Sequence, residues 1–319
     1  MRDAWHPFGL SPSPMTDEVA FIDRLRALAK HDAARGLADD AAVLAVGGAK
    51  LVITSDTLVE GVHFRRDDPA DSVGWKLAAV NLSDLAAKGA KPVACLMNYA
   101  LSGDAGWDGR FVEGLGAILG EHECALIGGD TVRMPPGSAR SFTLTAIGEA
   151  SARVPARSGV FSGDVLWVTG TIGDAGAGLA LLDAGRTSPG VLIDAYRRPQ
   201  PLVAEGQALG CMVAAMMDVS DGLLIDAERM AKASQVAIEI DLAQVPLSNA
   251  FVSVRGDGEA ARLFAATAGD DYQLLFTLPA GVKPPVAATA VGTCRAGSGL
   301  TLVAGGRAVA LPASLGWQH

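Results

Sequence analysis

Stretches of strand character and helix character alternate along the 319 residues, which predicts a mixed α/β protein built as two domains. Three observations carry that expectation. The chain is long for a single core. Half of its residues are hydrophobic (50%) and mean hydropathy is +0.28, so apolar surface is ample for two cores. The segment ASARVPARSGVFSGD, rich in Ser, Gly and Arg, interrupts the pattern at 150–164. The expected division is a tail over 1–15, an N-terminal domain over 16–150 and a C-terminal α/β domain over 151–319.

Thr16–His31 reads as an amphipathic helix, with Thr16 as N-cap, acids in its first turn and Phe21, Ile22, Leu25 and Leu28 as its apolar face. Strands follow at 41–46 and 51–55, joined by Gly47 and Gly48. Residues 71–90 form a helix capped by Asp71 or Ser72 and ended near Gly89. On it Val73, Leu77, Val80 and Asp84 share a narrow arc at helical spacing, so a carboxylate points the same way as an apolar stripe. Leu82 lies opposite, which implies a helix covered on both faces. A strand at 93–100, a helix at 107–120 and strands at 125–127 and 142–149 complete the first half. The second half opens with a strand at 164–170 and a glycine turn into a helix in TIGDAGAGLALLDAG. Helices at 190–197, 201–215 and 222–233 and strands at 237–241, 272–277 and 290–291 follow. The halves share a rhythm of strand, acidic turn and helix, without a residue-level repeat.

A net charge of −9 argues against nucleic-acid binding, which needs a basic face. It leaves anionic small molecules open if metal ions invert the local field. Cys95, Cys124, Cys211 and Cys294 are far apart, with no CxxC, and read as reduced, buried cysteines of a cytoplasmic protein. No uninterrupted apolar run approaches the ~18–20 residues of a membrane span. MRDAWHPFGLSPSPM lacks the apolar centre of a secretion signal and reads as a loose tail, with Met15 a second candidate start.

The chemistry is carried by acids set among glycines and hydroxyls, each read as lying where a strand runs out. Asp39 and Asp40 follow Gly36; Asp56 stands in LVITSDT and Asp130 in ALIGGDT; Asp218 and Asp221 stand in MMDVSDG, and Asp270 and Asp271 in AGDDYQLLF. Carboxylates and hydroxyls suit octahedral oxygen coordination of Mg²⁺, and glycine turns let phosphate oxygens reach backbone amides. Each signal has a plainer reading as well. Asp84 could serve a salt bridge or a cap, and Thr54, Ser55 and Asp56 could form a hydroxyl-rich turn. IGGDTVR could be a tight turn, or its two glycines before Asp130 could let backbone N–H groups reach phosphate oxygens, with Arg133 facing the anion. Ser220 or Asp221 could cap the helix after DVSDG, which leaves Asp218 unexplained. A lone His63 is usually structural. GTIGDAGAG resembles a phosphate-cradling turn, yet the chain has neither a placed G-x-G-x-x-G nor G-x-x-x-x-G-K-[ST]. A nucleotide would then be held by metals and arginines.

Taken together, TSDTLVEGVHF, NLSDLAAKGAKP, LIGGDTVR, VTGTIGDAGAGL, DVSDGLLIDAERMAKAS and GDDYQLLF resemble, in order and spacing, the thiamine-monophosphate kinase family. That family belongs to the superfamily of ATP-using enzymes that includes aminoimidazole ribonucleotide synthetase. The resemblance runs from near residue 17 to the C-terminus. It implies a two-domain aminoimidazole ribonucleotide synthetase-like fold, an N-terminal sheet with helices and a C-terminal α/β domain. It also implies ATP- and Mg²⁺-dependent phosphorylation of thiamine monophosphate to thiamine diphosphate. By motif, Asp40, Thr54, Ser55, Asp56, Asp84, Asp130, Asp218 and Asp221 would hold metal, and Gly129, Asp130, Arg157 and Ser220 would meet ATP. His63, Asp270 and Trp317 would meet the substrate. A homodimer joined through the N-terminal sheets, with the active site between domains, is implied too. No proton-abstracting residue is assigned, because the acceptor is a phosphate already ionised near neutral pH.

The chain departs from the family pattern in places. G-I-G-D-D stands here as Gly36-Leu37-Ala38-Asp39-Asp40, and the family's substrate-contacting Glu is Asp270, one methylene shorter. The rivals are another superfamily member with a different acceptor and a catalytically silent binder of nucleotide or thiamine phosphate. The first wants a Lys- or Cys-bearing catalytic segment at the N-terminus, where the stretch before Gly36 reads as an ordinary helix; the second wants lost metal aspartates, yet Asp40, Asp56, Asp84, Asp130, Asp218 and Asp221 are all present.

Overall fold

The computed structural model describes residues 18–135, 137–150 and 153–318. The 1–15 tail and the Thr16 cap lie outside them. The first helix, α1 (Glu18–Arg26), ends earlier than expected, and Phe21, Leu25 and Leu28 are exposed. Strands β1 (Ala42–Val46), β2 (Ala49–Val59), β3 (Lys91–Leu101), β4 (Ala125–Arg133) and β5 (Ser141–Ala150) form one sheet, in the order β1-β2-β5-β3-β4. Period-two patterning in SFTLTAIGEA buries Phe142, Leu144 and Ala146 on one face of β5. Helices α2 (Ala70–Ala87) and α3 (Ala105–Glu121) contribute to the core on that face, where Tyr99 and Phe111 pack on Phe142 at centroid distances of 4.8 and 4.7 Å.

The second sheet holds β6 (Asp164–Thr169), β7 (Met216–Asp218), β8 (Val236–Asp241), β9 (Leu274–Pro279), β10 (Ala288–Ala296), β11 (Gly299–Ala304) and β12 (Arg307–Val309). Its order is β12-β11-β8-β10-β6-β9-β7. Around it lie α4 (Asp174–Asp183), α5 (Gly190–Arg197), α6 (Val203–Gly210), α7 (Leu223–Ser234), α8 (Asn249–Arg255) and α9 (Glu259–Thr267). The helix expected over 201–215 is therefore shorter, because the chain turns at 211–215 and pairs β7 with β9. Helices α8 and α9 and strands β11 and β12 were not anticipated.

Helix α2 is the spine of the molecule. Of its 18 residues only Asp71 and Asp84 escape full burial, so the helix is covered all round rather than on two faces. It touches α3 on one side through glycines: a Cβ on Gly74 would stand 2.1 Å from Phe111 O, and one on Gly114 1.8 Å from Asp71 O. On another side it meets the second domain, where a Cβ on Gly206 of α6 would lie 2.1 Å from Ala86 O. Polar bonds fix the same junction: Trp75 Nε1 donates to Pro199 O at 2.9 Å and Arg197 Nε to Asp68 Oδ1 at 2.7 Å.

Cys95, Cys124 and Cys294 are buried as free thiols, whereas Cys211 is exposed, against expectation, because it lies at the end of α6. Among the described residues no helix is long and apolar enough to cross a membrane.

The α2–α3 contact yields a test by denaturant unfolding. Gly114→Ala should lose about 1–3 kcal/mol of stability through overpacking. Gly116→Ala, on the same helix with nothing within 4 Å of its added Cβ, should lose none.

Candidate active site

Between the two sheets, one carboxylate oxygen from each of Asp40, Asp84 and Asp218 lies within 4.8 Å of the other two. Three separate elements deliver them. Asp40 sits just before β1, Asp84 on the last turns of α2, and Asp218 at the end of β7. Thr54 Oγ1 on β2 donates to Asp84 Oδ2, and Ser83 Oγ donates to Asp218 Oδ2 at 2.6 Å. Asp56, two residues along β2 from Thr54 and so on the same face, and Asp221 add further negative charge.

The electrostatics divide this group in two. Burial would raise Asp40, but Arg157 and Lys88 outweigh it and hold its carboxyl below the usual range. Arg157 Nε donates to Asp40 Oδ1 at 2.8 Å, and Lys88 Nζ lies 2.5 Å from Asp40 Oδ2. Among the described residues Asp56, Asp84 and Asp218 have no such ion pair. Burial, then the charges of Asp56, Asp218 and Asp40, push Asp84 well above the ordinary carboxylate value. Asp218 rises to about 8, chiefly by burial and then by Asp40, and Asp56 to about 6, by burial and then by Asp40 and Asp221. Such carboxylates favour either a proton or a cation.

Asp221 is paired with Arg229 Nη1 at 2.5 Å. Its loop is shaped by a residue not foreseen. Asp226, fully buried in α7, accepts the N–H groups of Ser220, Asp221 and Gly222 at 3.1–3.2 Å. The capping expected of Ser220 or Asp221 is thus performed from inside the helix; the N-cap residue is Gly222, with no side-chain cap. The GTIGDAGAG turn is filled in the same manner. Gly173 N, at the start of α4, donates to the buried Asp271 Oδ2 at 2.7 Å, so the turn holds a carboxylate of the chain itself.

Asp56 and Asp130 are not at strand ends. Strand β2 continues to Val59 because Thr54–Val59 stay paired with β5, and Asp130 lies inside β4 opposite Asn98. Ser55 faces the other side of the sheet from Thr54 and Asp56, where its hydroxyl meets Thr145 at 2.8 Å. Asp130 shares that outer face through the row Thr57–Thr143–Asn98–Asp130 and is exposed on β4, the edge strand farthest from β2 in the sheet. Within one chain, then, Ser55, Gly129 and Asp130 are not brought to the cluster. Gly129 has φ +150, and a Cβ there would stand 1.8 Å from Met97 O, so glycine is required.

Two of the residues expected at the substrate, His63 and Asp270, form a separate wing. Asp270 Oδ2 meets Lys76 Nζ at 2.8 Å and its Oδ1 accepts from Tyr272 OH at 3.0 Å. Lys76 is buried, lies 4.1 Å above the Tyr196 ring and donates to His63 O at 3.1 Å, tying His63 to Asp270. His63 Nδ1 accepts from Val59 N at 3.0 Å. Trp317 is 48% exposed, and its backbone N–H donates to Asp221 O at 2.9 Å, bringing the tail against the acidic loop.

Comparison with known proteins identifies the family. Residues 38–150 match the family described as AIR synthase related protein, N-terminal domain, and residues 162–295 its C-terminal domain. The chain is 41% identical to the thiamine-monophosphate kinase of Salmonella typhimurium over 268 residues, 81% of this chain and 80% of that one. It is 34% identical to the Caulobacter vibrioides thiamine-monophosphate kinase over 99% of this chain and 94% of the relative. The chain belongs to the thiamine-monophosphate kinase family.

It is accordingly a kinase with the two-domain AIR synthase-like fold, as the six sequence segments indicated. A solved structure described as "AaThiL complexed with AMPPCP and TMP" superposes with a TM-score of 0.86 at 30% identity, covering 98% of this chain and 100% of that one. The thiamine-monophosphate kinase of Stenotrophomonas maltophilia gives 0.76 at 36% identity, covering 91% and 96%. Sequence reasoning assigned no role to Lys76, Lys88 and Arg229. Their only signal was proximity to the motifs.

The raised acids predict a pH dependence. Asp56 and Asp218 keep protons in the folded state that the unfolded chain has released above pH ~4. In EDTA, stability should therefore fall as pH rises from about 4 to about 8, the window set by the raised values near 6 and 8. Thermal unfolding across that range checks it, and Asp218→Asn should show a shallower slope.

Proposed function

We propose that this chain transfers the γ-phosphoryl group of ATP to the phosphate of thiamine monophosphate, giving thiamine diphosphate and ADP, with Mg²⁺ in the site. The observation that carries the reading is the set of buried carboxylates, Asp56, Asp84 and Asp218, gathered beside Asp40 with hydroxyls but too few cations. The donors are all oxygen, which suits a hard cation, and Asp84 and Asp218 are costly as anions unless a cation joins them. Asp40, Thr54, Asp56, Asp84, Asp218 and Asp221 would hold the ions. Bound there, the ions supply the positive charge that lets two phosphates approach.

The chain's own residues supply the rest. Arg157, lying on Asp40, can exchange that carboxylate for a nucleotide phosphate. An acceptor phosphate oxygen attacks the γ-phosphorus as the bond to ADP breaks in line, and no base is required because the acceptor oxygen carries no proton. Lys76 holds Asp270 and the His63 turn in one rigid wing, where thiamine would contact His63, Asp270 and Trp317. The relative whose complex holds AMPPCP and TMP supports both ligands.

A homodimer completes the reading. The outer face of the first sheet carries exposed Leu96, Leu126 and Val132 beside Ser55 and Asp130, and a second copy packed on that face would cover them. The metal role of Ser55 and Asp130 and the nucleotide contact of Gly129 would belong to that assembly, whereas Ser220 lies on the Asp221 loop beside the cluster and would meet the nucleotide there. A cytoplasmic location accords with the free cysteines.

Incubation with ATP, Mg²⁺ and thiamine monophosphate should yield thiamine diphosphate and ADP in equal amounts, and nucleotide binding without product would mark a silent binder instead. Asp130→Asn should lower kcat by about 100-fold or more, the scale of losing one electrostatic contact to a transition state, without shifting the unfolding midpoint. For Asp270, the longer Glu side chain should change the KM for thiamine monophosphate more than that for ATP. An unchanged KM removes Asp270 from the substrate.

A further inference from the structure

Lys88 ends the α2 segment with a side chain 0% exposed, an unusual place for an ammonium. Its ammonium donates to two acceptors, Asp39 Oδ1 at 2.5 Å and Met216 O at 3.1 Å, and forms an ion pair with Asp40 Oδ2 at 2.5 Å. Those acceptors lie on the segment before β1 and on β7, so one cation joins the three elements that carry Asp40, Asp84 and Asp218. Asp39 does not depend on it, since Arg35 Nη1 also lies 2.5 Å from Asp39 Oδ2. Asp40 is flanked in the same way, by Lys88 on one oxygen and Arg157 on the other, and it is the one of the two that belongs to the cluster. Asp84 and Asp218 receive hydroxyl donors, from Thr54 and Ser83.

We propose that Lys88 is a positioning residue that serves as a built-in cation of the acidic site, supplying at Asp40 charge that a divalent ion would otherwise bring. It thereby holds the metal-free cluster together and weakens the site's grip on divalent ions. The proposal shares with the kinase reading only the premise that divalent ions enter this cluster. A lysine with a merely space-filling role would lie away from the acids, and this one contacts the cluster directly.

The experiment measures Mn²⁺ binding to the metal-stripped full chain by calorimetry and by electron paramagnetic resonance, for wild type and Lys88→Met. The variant should bind Mn²⁺ about tenfold more tightly or better, a modest share of the interaction between charges a few ångströms apart. Its thermal midpoint in EDTA should drop below that of wild type and recover as Mn²⁺ is added. The double variant Asp39→Asn with Lys88→Met, which removes the ammonium together with one of its partners, should show the same gain in affinity. Equal Mn²⁺ affinity in wild type and variants overturns the proposal. So does failure of both variants to fold at any Mn²⁺ concentration, since the lysine is then a structural anchor only. Loss of the kinase reading is distinguishable: wild type would fail to phosphorylate thiamine monophosphate while the difference in Mn²⁺ affinity persisted.

Discussion

Like charges confined away from water are the constraint on which the rest of this structure depends. Asp56, Asp84 and Asp218 each hold protons more tightly than a free carboxylate because burial leaves the anion poorly solvated. An unpaired buried charge costs on the order of several kcal/mol, so the chain needs surrounding contacts that tolerate it. Those contacts are the apolar surroundings of α2 and the aromatic cluster around Phe142. Stability is thus built beside the site, and the site itself stays strained until a cation arrives.

Helix α2 converts that strain into geometry. The same helix offers Trp75 to Pro199, Lys76 to Asp270, Ser83 to Asp218 and, just past its end, Lys88 to Met216. All of these cross from the first domain to the second. Glycines at Gly74 and Gly206 bring neighbouring backbones against the helix with no room for a methyl group. A carboxylate on such a rod has little freedom to swing from its neighbours, and preorganisation of this kind is what electrostatic catalysis needs.

Much of the fold was legible in the amino-acid order, since periodicity and turn residues located most strands and helices of both halves. The misses have physical causes. TSDT looked like a turn because Ser, Thr and Asp compete with the backbone, but ten successive pairings with β5 keep β2 extended through Asp56. Strands β11 and β12 fall in a Gly-rich stretch; the place of β11 is decided by pairing with β8, far away in sequence, and β12 then pairs onto β11. The acids of the cluster were visible as motifs, whereas Lys76 and Lys88 were not, because their burial arises only when the second domain docks. Asp130 shows the opposite limit: its motif is plain, yet one chain alone leaves it on an open sheet edge.

The carboxylates of Asp226 and Asp271 have a consequence for selectivity. Each sits in a turn whose amides would otherwise be a ready berth for sulfate or inorganic phosphate, the first gathering Ser220, Asp221 and Gly222, the second Gly173. With those berths plugged from within, small free oxyanions find no easy lodging along these loops. An incoming phosphate ester must instead arrive with, or meet, its counter-ions, so admission is governed by the company an anion keeps more than by its shape.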